Sequence, residues 1–327
     1  MSSPYGPTIL EHFRHPRNKG TLAAPTISQE GTNPLCGDRV RIELLLEGDL
    51  VKDAKFSANA CAICVASASM LTELVRNAPL DEVETLLVDD ILRSLESRIP
   101  QMRMNCVRLP LTVMHTAVHL YRRDAGRQSG RGGGGRMIAG VILAAGRATR
   151  FGGPKVLAPL GGRAVVRHVA DCLRAAGVAP LVVVVGDAAV GVVEALVGSD
   201  AATVRNPRPD DGMSASLRIG VDALPEDIGA FVVALGDQPF IDLDMVRHLV
   251  RTWQESNAAA VVPVYRDGPG NPVLFDATMR RLLRTLSGDA GARELLHAMA
   301  DHVVRVTVDA DAPRDVDTPD DLRAIGG

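Results

Sequence analysis

The stretch Ile138-Ala-Gly-Val-Ile-Leu-Ala-Ala-Gly-Arg-Ala-Thr-Arg-Phe-Gly-Gly-Pro-Lys155 opens as an apolar run and closes on a glycine-rich, basic loop. Ile138 to Leu143 has the length and branching of a buried strand. The small residues that follow Leu143, Ala144, Ala145 and Gly146 and then Gly152 and Gly153, leave room for backbone N–H groups to lie against a polyphosphate. Arg147, Arg150 and Lys155 add fixed positive charge. Strand, loop and cations together predict a cradle for a nucleoside triphosphate. Two commoner phosphate loops do not fit. The Walker pattern fails because the lysine follows Pro154 and precedes Val156, and the dinucleotide fingerprint fails because Gly146 and Gly152 are too far apart.

Downstream the pattern alternates. Short Val-rich runs, Leu181–Val185, Phe231–Leu235 and Ala259–Val262, are separated by helical stretches such as Ala164–Ala176 and Leu243–Glu255. Strands buried on both faces and joined by crossover helices predict a three-layer, doubly wound (Rossmann-like) α/β domain with a mostly parallel sheet. Ligands in such sheets sit at the carboxyl ends of the strands. Phe231-Val-Val-Ala-Leu-Gly-Asp237 delivers an acid to such an end, and Asp237 is the predicted Mg2+ ligand, since a carboxylate beside a triphosphate repels it unless a divalent cation intervenes. A second polar loop, from Asn206 through Ser214 to Arg218, leads into a helix whose N-terminus suits an anion.

The opening loop resembles the LAAG-x-S-x-R-x-G-x-x-K signature of nucleotidyltransferases related to the molybdenum cofactor guanylyl- and cytidylyltransferases. Gly236-Asp-Gln-Pro239, Gly270-Asn-Pro-Val-Leu-Phe275, Ser287 to Arg293 and Asp315-Val-Asp-Thr-Pro-Asp-Asp-Leu322 follow in the family's order. The resemblance covers nearly all of 137–327 and is closest to the cytidylyltransferases. It implies Mg2+-dependent transfer of CMP from CTP to molybdopterin, with Arg150, Lys155 and Asp237 as catalytic residues. Leu143 to Arg147, Gly152, Gly153, Lys155, Asn206 and Ser214 would then be nucleotide contacts. Many relatives carry His where Asn271 stands. The alternatives on the same fold are a GTP-using molybdopterin guanylyltransferase and a sugar-phosphate nucleotidyltransferase.

Upstream, residues 124–136 are rich in Gly, Ser and Arg and predict a flexible linker, with Met137 as the start of a formerly independent unit. Residues 1–123 read differently. Thr8 to Phe13 is helical, Val40–Leu46 and Val51–Ala58 form a hairpin, and helices are expected over Ala66–Asn77, Leu80–Leu95 and from Pro110 to Tyr121. Strands followed by helices predict an α+β domain.

Three cysteines of this half flank elements: Cys36 before a strand, Cys61 before a helix, Cys106 shortly before another. A thiol at a helix N-terminus is expected to have a lowered pKa. With Asp38 they make a four-ligand set that suits Zn2+ or a [2Fe–2S] cluster, although their spacing matches no compact zinc motif. Leu10-Glu-His-Phe-Arg-His-Pro-Arg-Asn18, Cys36-Gly-Asp38, Cys61 with its Ala66-Ser-Ala-Ser69 run, and Cys106 resemble the NifU/IscU/SufU scaffolds of iron–sulfur assembly. By that resemblance Cys36, Asp38, Cys61 and Cys106 are the ligands, and a cysteine desulfurase supplies the sulfur. Asn105 stands where IscU-type scaffolds carry His, and Ile99 to Arg103 replaces their chaperone-binding motif. The alternative is a zinc-bound docking domain without a cluster. Cys64 and Cys172 read as buried small hydrophobes, and His115 and His119 as a packed or solvated helix face.

At 327 residues, 46% hydrophobic and five cysteines, the chain has the size of about two domains with a well-buried core. A net charge of −3 points away from nucleic acid, and the lack of a long apolar run points away from a membrane. A cytoplasmic setting is expected, with thiols rather than disulfides. The cytosine-dinucleotide cofactor serves molybdenum hydroxylases that also carry [2Fe–2S] clusters, so one such client is the expected partner of both halves.

Overall fold

The computed structural model describes residues 5–33, 36–97, 99–128, 137–146, 151–256, 258–286 and 292–326. The chain divides into two compact units, Met1–Gly132 with Arg293–Ala300, and Gly133–Ala292 with Asp301–Gly327. Among the described residues no helix is long and apolar enough to cross a membrane.

The first unit runs α1 (Pro7–Arg14), β1 (Ile27–Thr32), β2 (Arg39–Glu47), β3 (Leu50–Asn59), α2 (Ala62–Leu74), α3 (Leu80–Thr85), α4 (Val88–Leu95) and α5 (Met104–Gln128). It is α+β, as expected. Its strands form an antiparallel meander in the order β1-β2-β3. Val40, Ile42 and Leu44 all point to the core, opposite Ala58, Phe56 and Ala54 of β3. That alternation is what a half-buried strand requires. α2 and α5 cover this face, with Leu71, Val107, Met114 and Val118 inside.

Three helix readings shift. The expected helix 80–95 is two helices, broken between Thr85 and Val88. α2 begins four residues before Ala66. α5 begins at Met104 rather than at Pro110, which lies inside it. Burial of Cys106, Val107 and Leu109 outweighs the ladder bond that proline forfeits. Cys106 therefore sits on the first turn of α5. Residues 124–128, expected in the linker, extend α5, and the rest of that stretch lies outside the described residues.

The second unit runs β4 (Ile138–Ala144), β5 (Pro159–Leu160), β6 (Arg163–Ala164), α6 (Val165–Ala175), β7 (Leu181–Val185), α7 (Ala189–Ala195), β8 (Ala201–Arg205), α8 (Met213–Asp222) and β9 (Ala230–Leu235). It continues with α9 (Leu243–Glu255), β10 (Ala260–Tyr265), β11 (Gly268–Pro269), β12 (Val273–Asp276), α10 (Arg280–Arg284), β13 (Val303–Thr307) and α12 (Pro319–Gly326). α11 (Arg293–Ala298) falls in the stretch that clusters with the first unit.

The sheet order is β11-β10-β12-β9-β4-β7-β8, with β13 beside β10. β4 is parallel to both β7 and β9, and β7 to β8. β12 runs antiparallel between β9 and β10, so the sheet is mixed. The chain leaves β4 in one direction through β7 and β8 and returns on its other side at β9. This is the switch point at which doubly wound sheets open a crevice. Leu143 pairs with Leu235, and Gly236 N–H donates to Leu143 O at 2.9 Å, so the loop after β4 and Asp237 emerge side by side.

Candidate functional site

A cavity of about 380 Å³ opens at these strand ends. Its wall holds Leu143, Ala144, Ala145 and Gly146 from the end of β4, Lys155, and Asp237 beyond β9. Pro209, Gly212, Met213 and Ser216 close one side, and Asp317 another. Gly212 caps α8 at φ +92°, a conformation open to glycine, and so aims the first turn of α8 into the cavity. Gly186 lets β7's following loop approach, since a Cβ there would stand 2.7 Å from Ala145 O.

Lys155 is the electrostatic centre. Its ammonium is paired with a carboxylate oxygen of Asp237 and donates to Asp317 Oδ1 at 2.7 Å. Burial pulls its pKa down, but the two aspartates outweigh burial and hold the ammonium above the usual lysine range. Asp315 stands close by. Burial, with Asp237 and Asp317 nearby, lifts its carboxyl above the ordinary range despite a 2.8 Å hydrogen bond from Gln238 Nε2. The segment carrying these acids is tied to the sheet: Val316 N–H donates to Asp237 O at 3.0 Å, and Gln238 Nε2 also reaches Pro313 O at 3.2 Å. Val316 is fully buried with Ala158, Leu160 and Val165. Among the described residues three carboxylates gather around one ammonium, a donor set that suits a divalent cation.

Of the residues expected here, Leu143 to Gly146, Lys155 and Asp237 converge on the one cavity. Gly152, at φ +78°, and Gly153 lie in the turn leading to Lys155 without lining it. Arg147 and Arg150 lie outside the described residues. Asn206 is buried and ties its loop to α8, donating to Ser216 Oγ and accepting from Arg208 N–H, both at 2.9 Å. Ser214 is fully buried; Ser216 reaches the cavity wall instead. The sequence reading missed Asp315 and Asp317, whose D-x-D spacing ahead of Thr318-Pro319 was the available signal.

In the first unit, Cys36, Asp38 and Cys106 bring ligand atoms within 4.8 Å of one another. Cys61, the N-cap of α2, lies beside them: its backbone N–H donates to Asp38 Oδ1, and its thiol is close enough to that of Cys106 to affect its titration. All four expected ligands therefore gather at one place. Asp38 is buried; its Oδ1 accepts Cys61 N–H at 2.9 Å, and its Oδ2 has no hydrogen-bond partner. A buried carboxylate oxygen left open beside three thiols fits a metal ligand.

The expected lowering of the thiol pKa values is not found. Burial raises Cys61 and, more strongly, Cys106, so in the metal-free protein desolvation outweighs the helix dipole. Binding Zn2+ at neutral pH must therefore strip protons from the thiols. Calorimetry in buffers of different ionisation enthalpy should show release of at least the protons of Cys61 and Cys106 on binding Zn2+, with affinity rising as pH rises; release of none would contradict this.

The Leu10–Asn18 stretch has a structural task. Arg17 donates to His12 Nε2 and His12 Nδ1 meets Ser69 Oγ, each at 2.9 Å, and Arg17 N–H also donates to Ser69 Oγ. These bonds clamp α1 to α2, and burial followed by the charge of Arg17 keeps His12 below its usual pKa. Cys64 is in the core, whereas Cys172 is only partly buried and donates to Ile241 O at 3.2 Å. His115 and His119 are buried; His115 meets Val83 O at 3.0 Å, and burial lowers its pKa to about 4.

Residues 140–303 match the MobA-like NTP transferase domain, and residues 4–128 the NifU-like N-terminal domain. The chain is similar to the crystal structure of Rv0371c from Mycobacterium tuberculosis H37Rv, at 33% identity and a TM-score of 0.53. That alignment covers 59% of this chain and 98% of the other. The manganese complex of Rv0371c aligns at 34% identity and a TM-score of 0.50, over 58% of this chain and 98% of that one. A nucleotidyl transferase from Methanothermobacter aligns at 31% identity and 0.50, over 59% and 97%. In the first half, the zinc-dependent sulfurtransferase SufU of Bacillus subtilis is 43% identical over 27% of this chain, and the match spans 56% of SufU's own length. The iron–sulfur cluster assembly scaffold protein IscU of Aquifex aeolicus is 36% identical over 39% of this chain and 82% of its own.

Proposed function

The chain belongs to the MobA-like NTP transferases and carries a NifU-like domain ahead of that domain, and from this premise we propose that its second unit transfers CMP from CTP to molybdopterin with release of pyrophosphate. The observation that supports transfer at this cavity is the convergence of Lys155, Asp237 and Asp317 beside the end of β4 and the first turn of α8. CTP and molybdopterin rest on the order of motifs from Leu143 to Leu322.

Asp237 and Asp317 would hold Mg2+, which when bound neutralises phosphate charge; the Mycobacterium relative solved with manganese is in keeping with this. Backbone N–H groups at Gly146 and on the first turn of α8 bind the phosphates, and Lys155 orients them. The attacking group, the pterin's terminal phosphate, is already ionised at neutral pH, so no general base is needed and the residues act by position and charge. A screen of nucleotides against acceptors for pyrophosphate release tests this. Release with CTP and molybdopterin alone is expected. Release with GTP, or with sugar phosphates, would assign the site to one of the alternatives.

For the first unit we propose a site that accepts sulfur from a cysteine desulfurase and assembles a [2Fe–2S] cluster as cargo on Cys36, Asp38, Cys61 and Cys106. A zinc-holding sulfur-transfer role is the second reading, favoured by the identity to SufU. Metal analysis and the visible spectrum after anaerobic purification separate them. An oxygen ligand binds iron less firmly than a thiolate. If that labile oxygen is the point at which the cluster is released, Asp38→Ala lengthens the lifetime of a reconstituted cluster, while loss of the bond to Cys61 N–H costs about 1 kcal/mol of stability; faster cluster decay would count against the role. Both units would then serve one molybdenum hydroxylase client, and maturation of that client by the separated halves as well as by the intact chain would refute the coupling.

A further inference from the structure

Lys155 occupies the position a metal ion would take. Its side chain is only 14% exposed, and its ammonium is shared between Asp237 and Asp317, the two carboxylates assigned above to the cation. An ammonium offers donors and no acceptors, so while it holds both acids it neutralises them as a cation would. Neither ligand enters easily alone. A free divalent ion must displace the ammonium from both carboxylates. Among the described residues, a free triphosphate meets Asp237, Asp315 and Asp317 with Lys155 held between them. Arriving together they solve each other's problem: the metal takes the carboxylates, and the released ammonium moves to the phosphates that the metal brings.

We propose that Lys155 is an internal counter-ion whose exchange from Asp237 and Asp317 to the nucleotide makes metal and nucleotide binding mutually dependent. This rests on the nucleotidyltransferase reading of the cavity and adds a coupling to it. Because linkage is reciprocal, each ligand must tighten the other by the same factor. The lysine thus disfavours a futile metal-only state as well as orienting phosphates.

The test uses the full chain and Lys155→Met, which keeps the stem and removes the charge. Mn2+ alone is titrated by the electron paramagnetic resonance of the free ion, and CTP, with GTP in parallel, by calorimetry with and without Mn2+. Wild type is expected to bind nucleotide-free Mn2+ weakly. Lys155→Met should bind it about tenfold more tightly and lose about tenfold of the coupling. Lys155→Arg, which keeps the cation, should remain weak for free Mn2+ and controls for folding. If Lys155→Met binds free Mn2+ no better than wild type while Mn2+ and nucleotide still bind together, the counter-ion role is overturned and the nucleotide site stands. If neither nucleotide binds wild type with Mn2+, both are overturned.

Discussion

Asp237→Asn is expected to lower pyrophosphate release from the nucleotide by about 10²- to 10³-fold, the order found when one preorganised group that stabilises developing charge is removed. The change keeps the shape of the side chain and removes the charge that Lys155 and the metal both use. Stability should hardly move. The pair is largely buried, but Lys155 retains Asp317, so no ammonium is left unpaired. Steady-state turnover and the midpoint of thermal unfolding, measured on one preparation, separate the two effects. Turnover near wild type would remove Asp237 from the chemistry, and a collapse of the unfolding midpoint would make its role structural.

Cys106→Ser should be as damaging to the first unit. Structural Zn2+ sites are worth about 10–16 kcal/mol over four ligands, so one ligand carries about 3 kcal/mol, near 100-fold in affinity. Cys64→Ser is the contrasting case. Cys64 is fully buried one turn beyond Cys61, and burial holds its thiol far above the usual range. A hydroxyl there is expected to cost about 1–3 kcal/mol of stability and leave metal stoichiometry intact. Competition with a chromogenic chelator reads both variants. Equal metal loss in the two would show that general unfolding, and not ligation, is being measured.

The parts of the fold legible in the sequence were those written in local pattern. Ile138 to Leu143 is a continuous apolar run, and such a run bounded by glycines is a buried parallel strand. β1 was invisible because Ile27-Ser-Gln-Glu-Gly-Thr32 is mostly polar; only pairing with β2 makes it a strand. The start of α5 was misread because Pro110 looks like a first-turn proline, and burial decided otherwise.

Site residues divide the same way. The four proposed ligands of the first unit were named from motifs scattered along the chain, and packing of α2 and α5 against the meander brings them together. Asn206 and Ser214 were expected at the nucleotide, yet α8 turns about 100° per residue. Met213 and Ser216 therefore line the cavity while Ser214 faces inward. Asp317 reads as a turn before a helix, and its position depends on Val316 pairing with the backbone of Asp237, 79 residues earlier. Contacts at that range leave no periodic trace in sequence.

The most direct measurement is an anomalous difference map from crystals of the full chain grown with Mn2+ and a non-hydrolysable CTP analogue. The expected result is a single strong peak between Asp237 and Asp317, the analogue's phosphates against Gly146 and the first turn of α8, and Lys155 moved onto them. A peak elsewhere, or an analogue bound away from this cavity with Lys155 still bridging the two aspartates, would contradict the assignment of the site.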